Sequence, residues 1–435
     1  MADATAYGIM VGIGETYLPA FALAVGLGEV TAGLVASVPL LAGGIIQSIS
    51  PWVMRVGVRE HTWILITALI QGLAFIPLIV AAIRGTIATP WLLVFASLYW
   101  AGGLATGPAW NSWIEHMIPR GIRTNYFAGR TRASQIATLV GFLGGGFLLQ
   151  TSRTYDFEVL AFAALFAMAF SARIFSVIML AMHRWVPLHA APKAAQPTSS
   201  TGNLGSASTK SSIAGRQLII YLVMVQGMVQ ISGPFFTPYM LIHLQLTYLA
   251  YAGLIAIAFL AKIIAIGAWG RLAQRRGAGW LLLLGGGLII PLAPLWTVSN
   301  DYRWLLLIQA INGAAWAAYE LGFFLMFFEA MPRARRVKML TVYNLANTSA
   351  WWFGAMIGAA ILSHMGSTPG AYHMLFFVSC VGRAIAYLYL VTHRQRIFVK
   401  VKDIGFRILG LRANSGPLET PILTTLDDDT VADKP

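Results

Sequence analysis

Apolar residues fall into twelve blocks of about 20 along the chain. Each block is long enough for a helix to cross a hydrocarbon layer of ~30 Å at ~1.5 Å per residue. The blocks are continuous and do not alternate apolar with polar, which predicts helices and not barrel strands. They lie near 6–26, 30–53, 62–83, 91–115, 133–151 and 158–182, then near 216–242, 248–268, 280–298, 303–328, 341–363 and 371–392. Short clusters of Arg, Lys, Gly and Pro separate them. The expected fold is all-α and membrane-integral, with twelve transmembrane helices.

The pattern breaks between Arg184 and Arg216, where Pro, Ser, Thr, Ala and Gly dominate. This composition predicts a flexible cytoplasmic linker. The expected organisation is a six-helix half over 1–184, the linker over 185–215, a second six-helix half over 216–393 and a cytoplasmic tail over 394–435. In the tail, Phe398, Val401, Ile404, Ile408 and Leu411 recur at spacings of three and four, with Arg396, Lys400, Lys402 and Arg407 between them. That reads as an amphipathic helix lying on an anionic inner leaflet. The stretch beyond it, with Asp427, Asp428 and Asp429, is expected to be disordered.

Composition excludes a soluble domain: 57% of residues are apolar and 11% charged, with a mean hydropathy of +0.69, against roughly a quarter charged in soluble domains. A net charge of +14 raises nucleic acid as a partner, but topology accounts for the charge better. All but six of the 30 Lys and Arg fall in alternate loops and the tail. The six are Arg84, Arg153 and Arg303 in the opposite loops and Arg173, Lys262 and Arg383 within spans. Both termini are therefore expected in the cytoplasm, and no nucleic acid is expected. No basic segment precedes the first span, so that helix is expected to stay on the chain. The single Cys380 excludes an intrachain disulfide, and no His, Cys and Asp cluster has metal-ligand spacing; no metal or cofactor is expected.

The two halves repeat each other. Leu165, Phe166, Arg173, His183 and Arg184 recur at one constant offset as Leu375, Phe376, Arg383, His393 and Arg394. Glu115, Met117, Pro119 and Arg120 match Glu329, Met331, Pro332 and Arg333; Gly141 and Gly145 match Gly354 and Gly358; Arg55 and Gly57 match Arg275 and Gly277. The run from Trp269 to Gly277, WGRLAQRRG, resembles the Gly-x-Leu-Ala-Asp-Arg-x-Gly loop of the major facilitator superfamily, with a weaker copy from Ser50 to Gly57. Gln274 and Met54 stand where the family has Asp. The stretch Pro108 to Trp113, with the Arg-rich segment after it, also resembles bacterial members. The resemblance runs to about residue 395. It implies two pseudo-symmetric six-helix bundles that rock about a midplane site lined by the first, fourth, seventh and tenth helices. The fifth span lacks the Pro that drug antiporters of the superfamily often carry.

Ionisable groups inside a bilayer cost about 2.5–3.5 kcal/mol, so each needs a reason. The repeat sorts them. Arg55, Glu115, Arg173, Arg275, Glu329 and Arg383 have counterparts in the other half and read as gate or structural charges, with Arg59 and Arg271 as alternative gate partners. Arg173 and Arg383 are expected to pair with Glu115 and Glu329. Glu15 and Glu320 have Pro234 and Thr106 as counterparts and are the leading substrate or coupling candidates. Tyr17, Asn111, Gln226, Gln230, Trp316 and Tyr319 are expected to complete a cavity of aromatic walls with few polar groups. Lys262 is unpaired by the repeat, and His243 reads as a loop residue.

With no phosphate-cradling loop and no nucleophile, metal or paired-carboxylate constellation, an enzyme is not expected. The reading is a secondary transporter of a small solute, with proton coupling left open. Two carboxylates without a cavity Arg favour a cationic or neutral solute, or a metal ion such as iron, over a polyanion. The chain is expected to work as a monomer among membrane lipids, in the bacterial inner membrane or one derived from it. The alternative is a membrane scaffold or assembly factor that keeps the fold without transporting.

Overall fold

The computed structural model describes residues 1–117, 120–182, 205–330 and 333–398. Helices account for nearly all of them, and no strand occurs among the described residues. Twelve helical segments follow one another. α1 (2–24) comprises Ala2–Ile13, a 3-10 turn Glu15–Tyr17 and Leu18–Ala24. Then come α2 (Gly28–Arg55), α3 (Glu60–Arg84), α4 (Thr89–Met117), α5 (Arg120–Thr154) and α6 (Glu158–Ala181). α7 (205–243) comprises Gly205–Ser232, a break from Gly233 to Pro238 and a π-helical turn Tyr239–His243. α8 (Tyr248–Arg276), α9 (278–297, Ala278–Leu288 and Pro294–Thr297), α10 (Tyr302–Ala330), α11 (Arg333–Met365) and α12 (Pro369–Ile397) complete the chain. Nine helices among the described residues are long and apolar enough to cross a membrane. α1 and α9 are interrupted, and α10 carries Gln309, Asn312 and Glu320 in its course.

Several boundaries differ from expectation. α5 and α11 are 35 and 33 residues long, about 50 Å by helical rise, so their Arg-rich beginnings are helix and not loop. Most of the expected linker lies outside the described residues, and its end is already helical, since α7 begins at Gly205. Ser, Ala and Lys beyond Gly205 sustain a helix once Pro is absent. The tail beyond Phe398, with its expected amphipathic segment, also lies outside the described residues.

Outward faces are apolar and exposed, as at Phe147, Ile264, Phe377 and Leu388, which suits lipid contact. Inside each half, helices meet at glycines. A Cβ at Gly8 or Gly12 would stand 2.3 Å from the Ser134 or Thr138 carbonyl oxygen, so α1 and α5 touch backbone to backbone. The second half repeats this at Gly354 and Gly358, whose Cβ positions lie 2.1 and 2.2 Å from the Gly227 and Ile231 carbonyls of α7. Gly145 instead accommodates the Tyr17 ring and Gly146 the Tyr17 hydroxyl and Ala252, while Gly144 faces open space. The glycine run of α5 therefore divides into packing and exterior positions.

The helix breaks also repeat. α1 breaks at Gly14-Glu15, five residues before Pro19; α7 breaks at Gly233-Pro234, ahead of Pro238. Proline in the first turn of a new helical segment loses no intrahelical bond, so each break restarts cleanly.

At the inner end, ahead of the apolar span, Asp3 of α1 accepts from Arg130 Nη2 of α5 at 3.1 Å, and that guanidinium lies 4.1 Å over the Trp110 ring. Burial alone would raise the Asp3 carboxyl, but the Arg130 charge and hydrogen bond outweigh it and hold it below the usual carboxylate range.

Two outcomes test this packing. Gly12→Ala should destabilise by about 1–3 kcal/mol, whereas Gly144→Ala should stay within about 0.5 kcal/mol of the wild type in thermal unfolding of the purified protein. Asp3→Asn should lower the melting temperature at neutral pH. Because the native carboxyl is depressed, its stabilisation is present above about pH 4 and lost as pH falls through the native value, so the two curves should converge in acid.

Candidate functional site

The clearest polar centre lies in the second half. Gly313 of α10 lies so close to α8 that a Cβ there would stand 2.0 Å from the Ala258 carbonyl oxygen and 3.0 Å from Lys262 N. This contact brings Lys262 of α8 to Glu320, two turns further along α10. Lys262 Nζ reaches both carboxylate oxygens at 2.8 Å, with the residues 7% and 4% exposed. The sequence offers Glu320 no fixed Arg partner; the structure gives it Lys262, in a buried ion pair. The repeat hides this partner, because Lys262 has no counterpart in the first half. A lone Lys at midspan did signal the need for a carboxylate.

The same half holds buried polar atoms with no hydrogen-bond partner: Tyr319 Oη on α10 and Tyr343 Oη on α11, both within electrostatic reach of Glu320, and also Gln226 Nε2 on α7 and Asn347 Oδ1 on α11. Gln226 Oε1 accepts from Trp351 Nε1 at 3.2 Å. Trp316 is half-buried and stands perpendicular to the Tyr319 ring at 5.5 Å. Gln230 is half-buried and lies over Gly233 at the α7 break. Buried polar atoms in a native protein nearly always find a partner, so atoms like these mark places that water or a ligand completes.

In the first half, Glu15 opens the 3-10 turn of α1 and is half-buried; the Tyr99 hydroxyl of α4 donates to Glu15 Oε2 at 2.8 Å. Tyr17, two residues on, is not on an open wall. It is fully buried, donates to the Phe142 carbonyl at 2.6 Å, and its ring stands 6.4 Å from that of Tyr251 in the other half. The space left between α1, α5 and α8 there is only about 20 Å³, lined by Thr16, Phe142, Ile255 and Phe259 among others.

Arg173 and Arg383 are both buried and both stand at helix breaks. Arg383 Nη1 donates to the Ile289 carbonyl at 2.9 Å, where α9 is interrupted, and Nη2 donates to Ser232 Oγ at 3.1 Å, where α7 ends its first part. Arg173 lies against Gly72 of α3, beside the interruption at Ala74, with Nη1 3.4 Å from Ser176 Oγ and its guanidinium 5.1 Å from the Tyr7 ring. Their expected partners Glu115 and Glu329, and also Asn111, have side chains outside the described residues. Arg55 and Arg275 are exposed at the inner ends of α2 and α8.

The halves meet at the outer end of the bundle, opposite the termini. Tyr248 of α8 donates its hydroxyl to Glu158 Oε1 at 2.5 Å and its backbone N–H to Gln150 Oε1 at 3.1 Å. His243 Nε2 lies 3.0 Å from Glu29 Oε2, and the Tyr372 hydroxyl donates to the same oxygen. Deeper along the seam, Gly33 receives the Phe235 ring, Gly146 faces Ala252, and Gly44 faces Thr348. His243 is thus helical, not a loop residue, and it reaches the other half. Sequence periodicity carried no signal for these contacts, because the partners come from four separate connections.

The second half matches the sequence pattern of the Major Facilitator Superfamily over residues 218–414. No curated protein matches the sequence. Solved structures do match in fold. A mutant of the nucleoside transporter NupG superposes with a TM-score of 0.68 at 12% identity, covering 90% of this chain and 98% of that one. The D-xylose–proton symporter superposes with 0.66 at 15%, covering 89% and 95%. A bacterial homologue of the human lysosomal transporter Spinster, inward-facing and unoccupied, superposes with 0.65 at 15%, covering 91% and 95%. This multi-pass membrane protein thus carries the sequence pattern of the Major Facilitator Superfamily over residues 218–414 and shares the fold of these solved transporters across about nine-tenths of its length.

Proposed function

We propose that the protein is a secondary active transporter that moves a small, neutral, hydrogen-bonding solute by alternating access. The seam between the halves carries this reading. It is closed at the outer end by side-chain contacts centred on Glu29 and Glu158, which can be broken and remade without unfolding either half.

The solute class follows from charge. Lys262 neutralises Glu320, which removes the bias towards a cation that two free carboxylates would create. The unpartnered Gln226, Tyr319, Tyr343 and Asn347 atoms offer both donors and acceptors, the chemistry that matches hydroxyl and amide groups. The nucleoside and pentose named for the structural neighbours belong to this class. Glu320 is the coupling carboxylate: a proton on it dissolves the ion pair, and the freed Lys262 ammonium then needs a new acceptor on the solute or in the protein. Glu15, held by Tyr99 at the α1 break, is the matching candidate on the facing half. The protein works as a monomer in a bacterial cytoplasmic membrane.

Uptake into proteoliposomes of labelled pentoses, nucleosides, dipeptides, organic cations and divalent metals, with and without a pH gradient, tests the reading. Gradient-driven accumulation of a neutral hydroxylated solute is expected, and Glu320→Gln should keep solute exchange while losing accumulation. Uptake of cations alone would overturn the solute class. No uptake of any class would favour a scaffold.

The ion pair makes its own prediction. Lys262→Met should destabilise by about 3–5 kcal/mol, because it removes the cation that neutralises the buried Glu320 charge. Adding Glu320→Gln should restore most of the loss, as read from melting temperatures of the single and double variants.

A further inference from the structure

Glu29, at the start of α2, stands between two residues of the opposite half. His243 Nε2 lies 3.0 Å from its Oε2, and the Tyr372 hydroxyl of α12 donates to that oxygen. The π-helical turn Tyr239–His243 ends α7 on His243. The imidazole ring is fixed by Tyr372, edge-on at 4.7 Å, and by Tyr239 at 5.9 Å. Both side chains of the His243–Glu29 pair are 14% exposed. Protons reach them from the outer face, while bulk water and salt screen the pair less than they would a surface ion pair.

We infer that His243 and Glu29 form a proton-binding latch at the outer face, closed when the imidazole is protonated and loosened when it is neutral. What the latch regulates rests on the alternating-access reading; its chemistry does not. Histidine is the side chain whose ordinary titration range spans outer pH values near neutrality. The protonated ring makes a charge-assisted bond to Glu29, roughly twice as strong as a neutral one. The Tyr372 hydroxyl serves Glu29 in both states, so loss of the proton weakens the latch without leaving the carboxylate bare. The ion pair exists only while the seam is closed and His243 carries its proton. By linkage, acid on the outer side favours the closed seam, and rising pH through the imidazole range releases it.

The titratable groups around His243 are Glu29 from α2, Tyr372 from α12 and Tyr239 from its own helix. The other charged set on the seam is Tyr248 with Glu158, and Arg153 stands 3.9 Å from Glu158. His364 and His373 are exposed at the ends of α11 and α12 and serve as controls.

Spin labels on Thr86→Cys and Asn300→Cys, in a Cys380→Ser background, report the distance between exposed outer loops of opposite halves. Pulsed EPR on the full chain in lipid nanodiscs, from about pH 5.5 to about 8.5, covers the imidazole range. The closed-to-open ratio should fall severalfold with rising pH. His243→Gln and Glu29→Gln should flatten the profile, while His364→Gln and His373→Gln should leave it unchanged. A pH-independent distance in the wild type, or a shift that survives in His243→Gln, overturns the latch. A pH-dependent distance in a protein that carries no solute leaves the latch standing and removes the transport reading; flux with a flat distance profile does the opposite.

Discussion

No water is available in the hydrocarbon to satisfy a freed backbone carbonyl, so every interruption of a spanning helix must be answered from inside the protein. This chain interrupts α1, α2, α3, α7 and α9. The buried guanidinium of Arg383 answers two of these breaks at once, bonding the Ile289 carbonyl of α9 and Ser232 at the end of the first part of α7. Ser232 in turn donates to Ser379 Oγ, and Ser379 donates to the Met228 carbonyl, so three helices are tied by one polar thread. Arg173 holds the corresponding position beside the α3 interruption in the first half. Such charges are costly in a membrane, and for Arg383 the bonds to two helix breaks supply the reason.

Contact between backbones is the second constraint. Glycines on α1, α5, α10 and α11 set how near their neighbours come, and that proximity decides which side chains can meet. Lys262 finds Glu320 because Gly313 lets α8 and α10 approach. Across the seam between halves the contacts are of another kind. There, glycines receive single side chains, and hydrogen bonds come from loop-proximal residues such as Glu29, Gln150 and Glu158. Contact between helix backbones within each half, with mostly side-chain contact between halves, is the arrangement that the proposed rocking requires.

The sequence was legible where physics is local. Twenty-residue apolar runs, the bias of Lys and Arg towards one side, and the repeat of Arg173 with Arg383 fixed an all-helical membrane protein of two similar halves, since bilayer thickness and charge cost act on each segment independently. Glu15 and Glu320 stood out for the same reason. The pairing of Glu320 did not, because Lys262 lies 58 positions away and the repeat offers no counterpart. Tyr17 looked like a cavity residue from its neighbours in sequence, yet the turn begun at Glu15 carries it into the seam. Glu29, His243 and Tyr372 gave no signal at all: they come from three connections, 214 and 343 positions apart from Glu29, and only the docking of one half on the other brings them together. What each segment must be is decided by its own exchange between water and hydrocarbon. Which charges neutralise one another is decided by distance, and distance exists only once the helices have packed.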